Sequence, residues 1–207
     1  PNLAAGRTVF NYSGEVTGTP NGNAPNVIAS SYNIKAEVEI PEGGAEGVLV
    51  THGGRFSGYG FYLLKGKPVY TWNLLGLKLV KWAGPDALSP GKHTLEFDFK
   101  YDGLGAETLQ YGSPSGLGRS GSGVLKVDGK VVATTKMEKT VPMLMQWDES
   151  FDVGADTGSP VADEDYQPPF RFTGKLEKLT LTIDRPKLSP EDIKKLKMAV
   201  HGNSASE

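Results

Sequence analysis

The chain has 207 residues and no cysteine. That absence excludes disulfides, thiolate zinc sites and cysteine nucleophiles, and it leaves the redox compartment open. Histidine is scarce, with 3 residues, so an imidazole-based metal site has few places to form. No apolar run approaches the length that crosses a bilayer, so no membrane partner is expected. The formal net charge is only −2 and no basic stripe is visible, so nucleic acid is not an expected partner either. The opening PNLAAGRTVF lacks the charged and apolar regions of a signal peptide, and none is expected within this chain.

What the sequence does contain is turn residues and alternation. The 27 glycines and 14 prolines fit a sandwich with many turns. A chain of this length is the size of one all-β domain and buries a core that needs no staple. In residues 32–40, Tyr32, Ile34, Ala36, Val38 and Ile40 alternate with Asn33, Lys35, Glu37 and Glu39, the period of a half-buried strand. Leu95, Phe97 and Phe99 alternate in the same way, and Leu176, Leu179, Leu181 and Ile183 do so after one irregular step. Asp128-Gly129 and Lys65-Gly66 each mark a tight hairpin, because a type I′ turn requires positive φ at both central positions. The fold expected is therefore an all-β, two-sheet antiparallel jelly-roll sandwich over residues 1–187. A short C-terminal helix is expected at residues 188–200. Ser189 would cap it, Pro190 would open it, and Ile193, Leu196 and Val200 would pack on the sandwich. Residues 201–207 read as a disordered tail. Residues 103–123 read as a flexible loop. The G-x-G-x-x-G within it, at residues 116–121, precedes a strand pattern and offers no helix N-terminus to a pyrophosphate.

The most informative stretch is WDESFDVGADTGSPVADEDYQPPFRFTGK, residues 147–175. It reads as a strand, a long acidic loop and a second strand, and long loops in compact domains are usually functional or disordered. DESFDVGADTGSPV followed by PFRFTGKLEKLTLTI resembles the C-terminal domain of large bacterial arylsulfatases. THGGRFSGYGFYLLKGKPVYTWNLLG, LSPGKHTLEFDFKYDG and GVLKVDGKVVATTKMEKTVP are similar to further blocks of that domain, in the same order, across nearly the whole chain. The resemblance implies a bacterial, concanavalin-like jelly roll, cytoplasmic or periplasmic, lying behind a catalytic domain that this chain lacks. It departs from the family at residues 104–119, which are longer and more polar than the link expected there. The sulfatase nucleophile motif needs Cys or Ser two positions before Pro, but Gly112 precedes Pro114 and Gly158 precedes Pro160. Sulfatase chemistry is therefore not carried over. The resemblance implies a non-catalytic accessory domain that packs on a sulfatase catalytic domain, binds glycan or sulfated substrate, or does both. An apolar face left by the missing domain could instead drive a homodimer.

Several residues are candidates for such roles. In the acidic loop, Asp148, Asp152 and Asp156 are spaced four apart and could hold a structural Ca²⁺; the alternative is a solvated loop. Glu149 shares a strand face with Trp147, Phe151 and Val153, where a carboxylate needs a partner or a raised pKa. Arg55 and Asn73 could read hydroxyls or an anionic sulfate, while Tyr70, Trp72 and Trp82 could stack on sugar; the alternative for the aromatics is core packing. His52 and His93 fall on apolar faces. With Glu149 or Asp98 they would make a Zn²⁺ or Mn²⁺ site for a small hydrolase of sulfate or phosphate esters, with Glu149 or Asp98 orienting the metal-bound water on the concave face. The alternative is a pair of structural histidines.

Overall fold

The structure, a computed structural model, describes residues 3–103, 118–141, 149–185, 190, 191, 193 and 194. Twelve strands are present among them. In chain order they are β1 (Val9–Tyr12), β2 (Val16–Thr19), β3 (Ser31–Ile40), β4 (Gly47–Gly54), β5 (Ser57–Leu64), β6 (Lys67–Leu74), β7 (Lys78–Ala83), β8 (Gly91–Tyr101), β9 (Gly121–Val127), β10 (Lys130–Met137), β11 (Phe151–Val153) and β12 (Lys175–Asp184). They form two six-stranded antiparallel sheets, β1-β12-β3-β8-β9-β10 and β2-β11-β4-β5-β6-β7. This is the jelly-roll sandwich that the alternation predicts.

The first sheet follows the sequence pattern closely. Leu95, Phe97 and Phe99 of β8 and Ile34, Ala36 and Val38 of β3 point inward, with their polar neighbours outward. The irregular step in residues 175–183 is a bulge between Leu176 and Lys178, after which Leu179, Leu181 and Ile183 face the core. Both tight hairpins form with positive φ at Lys65 and Gly66 and at Asp128 and Gly129.

The second sheet departs from alternation. β4 and most of β5 and β6 are buried at every position. Their inner residues Leu49, Val50, Tyr59, Phe61, Tyr70 and Trp72 join the main core. A bulge between Val48 and Val50 turns Val48 to the other face, where Val48, Tyr62, Val69 and Tyr166 form a second cluster. The segment between β11 and β12 lies over that outer face. Its backbone is tied down at Val48 N to Phe170 O (3.2 Å) and Thr173 N to Glu46 O (2.8 Å). A strand covered on both sides loses the polar half of its pattern.

Aromatic rings fill the centre of the core. Tyr70 and Phe97 stack with centroids 3.5 Å apart, and Trp82 meets Phe97 edge-on at 5.0 Å. Trp82 donates through Nε1 to Gly123 O at 2.9 Å. A Cβ at position 123 would lie 2.7 Å from both Phe97 and Trp82, so only glycine lets the sheets approach there. Pro190, Glu191, Ile193 and Lys194 are helical. The rest of the expected helix, the tail at 201–207, residues 104–117 and Trp147 with Asp148 lie outside the described residues. Among the described residues no helix is long and apolar enough to cross a membrane.

Candidate functional site

The acidic segment is a folded cover in which nearly every carboxylate holds down a piece of chain. Asp152 in β11 is 2% exposed and accepts four hydrogen bonds, from Gly18 N (2.7 Å), Ser150 Oγ (2.8 Å), Thr157 N (3.0 Å) and Thr157 Oγ1 (2.6 Å). Asp156 is equally buried and accepts from Gly158 N (3.1 Å) and Tyr166 Oη (2.5 Å). Burial pushes the Asp156 carboxyl up to about 6. The bonds from Tyr166 and Gly158 oppose that rise, while the nearby charges of Asp152 and Glu149 add to it. Asp165 accepts from Tyr62 Oη and, at 2.8 Å, from Lys81 Nζ, which also reaches Glu164 at 2.5 Å.

These bonds bear on the calcium and hydrolase expectations. Both oxygens of Asp152 are already filled by protein donors, and no group of three or more His, Asp or Glu suited to a metal occurs among the described residues. Glu149 does not share the apolar face expected for it. It precedes β11, is half-buried, and accepts from Ser159 N (3.2 Å) and Ser159 Oγ. Asp98 stands on the outer face of the other sheet, with Asn33 Nδ2 at 3.2 Å and Lys100 Nζ at 3.8 Å. Glu149 and Asp98 therefore do not converge.

The two histidines are separated in the same way. His52 in β4 is buried between Tyr59 and Phe151, and its Nε2 meets Asn21 Oδ1 at 2.8 Å. Burial pushes its pKa down to about 4, against the pull of Asp152. His93 in β8 belongs to the opposite sheet. Its Nδ1 meets Asp128 Oδ2 at 2.6 Å, and its Nε2 lies 2.7 Å from Ser89 O and 3.3 Å from Ser89 Oγ. The order Ser89, His93, Asp128 has the outline of a hydrolase triad. A carbonyl oxygen only accepts, however, so Nε2 carries a proton toward Ser89 O and has no lone pair for the Ser89 hydroxyl. The ring instead joins the β7–β8 loop to the β9–β10 turn.

Tyr70, Trp72 and Trp82 correct the expectation of exposed stacking rings. All three are buried in the main core. They occupy the inward-facing positions of β6 and β7, and Trp72 Nε1 and Tyr70 Oη both bond to Tyr32 Oη (2.8 and 2.6 Å). No face of these rings is open to a ligand.

Arg55 and Asn73 do meet, at one end of the second sheet. Arg55-Phe56 is the turn between β4 and β5, and Leu75-Gly76-Leu77 is the turn between β6 and β7. Asn73 is buried and knots them together. Its Nδ2 donates to Arg55 O (2.8 Å) and Val161 O (3.0 Å), and its Oδ1 accepts from Gly76 N (2.8 Å). Asn73 is thus a scaffold residue. Around it lies an open groove of about 560 Å³, lined by Arg55, Phe56, Leu77, Lys78, Asp163 and Glu164 among others. Phe56 is 76% exposed and Leu77 83%. The guanidinium of Arg55 forks onto Asp163, with Nε to Oδ2 at 2.6 Å and Nη2 to Oδ1 at 2.8 Å. That contact holds Asp163 below the usual carboxylate range and raises Arg55. Phe56 and Leu77 were not singled out from the sequence. The available signal is a large apolar residue at the tip of a two- or three-residue turn, where no core can reach it.

No protein-family model matches the chain, and no curated protein matches it. Solved structures share its fold. The CBM40 of the Ruminococcus gnavus IT-sialidase is similar at a TM-score of 0.52 and 15% identity, covering 93% of this chain and 97% of that one. The same module bound to α2,3-sialyllactose gives a TM-score of 0.51 at 15% identity, covering 93% and 96%. The leech intramolecular trans-sialidase complexed with 2,7-anhydro-Neu5Ac gives 0.51 at 13% identity, covering 90% of this chain and 27% of the enzyme. At such identities the likeness is one of architecture: this chain has the jelly-roll fold found in carbohydrate-binding modules.

Proposed function

We propose that this chain is a non-catalytic jelly-roll domain that binds glycan in the groove between the Arg55-Phe56 and Leu75–Leu77 turns. The observation that carries the reading is the ring of Phe56, exposed to solvent in a groove that Leu77 also lines. Pyranose rings have apolar C–H faces that pack on such a ring, while polar groups at the rim bind hydroxyls. Two of the five guanidinium N–H donors of Arg55 go to Asp163, which leaves others for a ligand. The groove is built on hairpin ends fixed by Asn73, so little order has to be created on binding. Further support comes from the fold, since the Ruminococcus gnavus module of the same architecture is seen with sialyllactose. The sequence resemblance to the C-terminal domain of large bacterial arylsulfatases supports an accessory role beside a sulfatase catalytic domain.

Calorimetric titration against a panel of neutral and acidic oligosaccharides tests the proposal. Phe56→Ala is expected to weaken binding by about tenfold or more, equivalent to ~1.4 kcal/mol, with an unchanged melting temperature because the side chain packs on little. Equal affinity in the variant, or no binding to any member of the panel, would count against it.

A further inference from the structure

We infer that the groove selects uncharged glycan over carboxylated or sulfated sugar, and that the Arg55–Asp163 pair makes the selection. This rests on the glycan reading of the groove. Its walls carry two cations, Arg55 and Lys78, and two anions, Asp163 and Glu164. Those charges cancel, so no net field draws an anion in. A sulfate or sugar carboxylate is best held by a guanidinium fork whose charge is unspent, and Asp163 takes the Nε–Nη2 edge of Arg55 and neutralises its charge. A charged sugar would have to displace that carboxylate or share the same guanidinium with it, like charge against like, whereas a hydroxyl can use the remaining N–H groups without that repulsion.

Most exposed ion pairs would yield readily, because ordering two long side chains offsets their attraction. This pair is anchored from behind. Asn73 Nδ2 holds Arg55 O and also Val161 O, two residues before Asp163. Arg55 N donates to Ser159 Oγ (2.9 Å), and Asp163 O accepts from Gln167 Nε2 (3.2 Å). Both backbones are held by bonds that do not involve the two charged groups, which lowers the entropic cost of the pair. Lys81, just beyond Glu164, is engaged by Glu164 and Asp165. Lys78 remains as a hydrated point charge on a flexible stem, a poor match for a planar or tetrahedral oxyanion. Phe56 and Leu77 suit the uncharged face of a sugar ring, and the outer N–H groups of Arg55 suit its hydroxyls.

Asp163→Asn removes the competing charge and one of the two acceptors from the fork, and so tests the inference. The wild type and D163N are titrated with matched pairs, lactose with 3′-sialyllactose and neutral oligosaccharides with their sulfated forms. The wild type should prefer the neutral member of each pair. D163N should raise the charged-to-neutral affinity ratio by about tenfold or more. A wild type that prefers the charged member, or a ratio unchanged in D163N, overturns the inference and leaves the glycan reading standing. An independent measurement follows the Arg55 Nε–H resonance during titration with sodium sulfate at constant ionic strength. It should stay in place in the wild type and shift in D163N, and a shift of equal size in both overturns the inference. Silence of every sugar on both proteins instead sinks the glycan reading, while the sulfate titration still tests the fork.

Discussion

Two buried ionisable residues pull the pH dependence of stability in opposite directions. His52 is held neutral, with its pKa pushed down to about 4 chiefly by burial. Between pH 6.5 and about 4 the unfolded chain takes up a proton that the folded chain refuses, so this group lowers stability as pH falls. Asp156 is the converse, raised from 3.8 to about 6 chiefly by burial. Across that window the folded chain holds a proton that the unfolded chain has released, so this group lowers stability as pH rises. Each contribution is on the order of 3 kcal/mol, and over much of the window they cancel. Asp156→Asn should therefore lose stability on acidification more steeply than the wild type, and His52→Gln should lose less or gain. Urea midpoints at about pH 4.5 and about pH 7.5 measure this. Parallel profiles for the three proteins would show that neither group titrates as described.

At the level of elements, the segment between β11 and β12 behaves as a third layer. It supplies Tyr166 and Phe170 to the outer face of the second sheet, with Tyr166 edge-on to Tyr62 at 5.2 Å. Asn73 fastens one end of this layer to both neighbouring hairpin turns. Asn73→Ala leaves Arg55 O, Val161 O and Gly76 N without that partner, at an expected loss of about 2–4 kcal/mol. The layer should also open locally before the sandwich unfolds. Limited proteolysis should then cut the variant within residues 155–172 at a concentration of urea that leaves the wild type intact. Cutting elsewhere first would mean that the anchor lies outside Asn73.

At the level of the whole molecule, the sandwich is held by burial between two sheets, and the acidic side chains hold the cover onto it. Asp152 has four protein donors, and Asp156 and Glu149 each have two groups bonded to them. A calcium ion on Asp152 would have to replace its donors. Chelator, and then excess calcium, should each leave the melting temperature within about 1 °C, a shift corresponding to a few tenths of a kcal/mol for a chain of this size. A clear rise with calcium would mean that the carboxylates exchange their protein donors for the cation.

Alternation and turn chemistry were legible in the chain itself. β3, β8, β12 and both I′ hairpins follow from period two and from the positive φ demanded at Lys65-Gly66 and Asp128-Gly129, because such preferences act over a few neighbouring residues. The importance of residues 147–175 was legible as well, but the use made of its carboxylates was not. Arg55 and Asp163 lie 108 positions apart, and which acid meets which donor depends on how the cover lies on the sheet. Tyr70, Trp72 and Trp82 illustrate the same limit. Strand spacing puts Tyr70 and Trp72 on a common face, but only the packing of the two sheets determines that this face is the core. Phe56 and Leu77 became visible as a pair when β4–β7 came together, since the two turns are neighbours in space through hydrogen bonds between strands. Local sterics and hydrophobic periodicity thus wrote the strands into the sequence, whereas the groove exists only once long-range burial and the Asn73 knot bring separate hairpin ends to one rim.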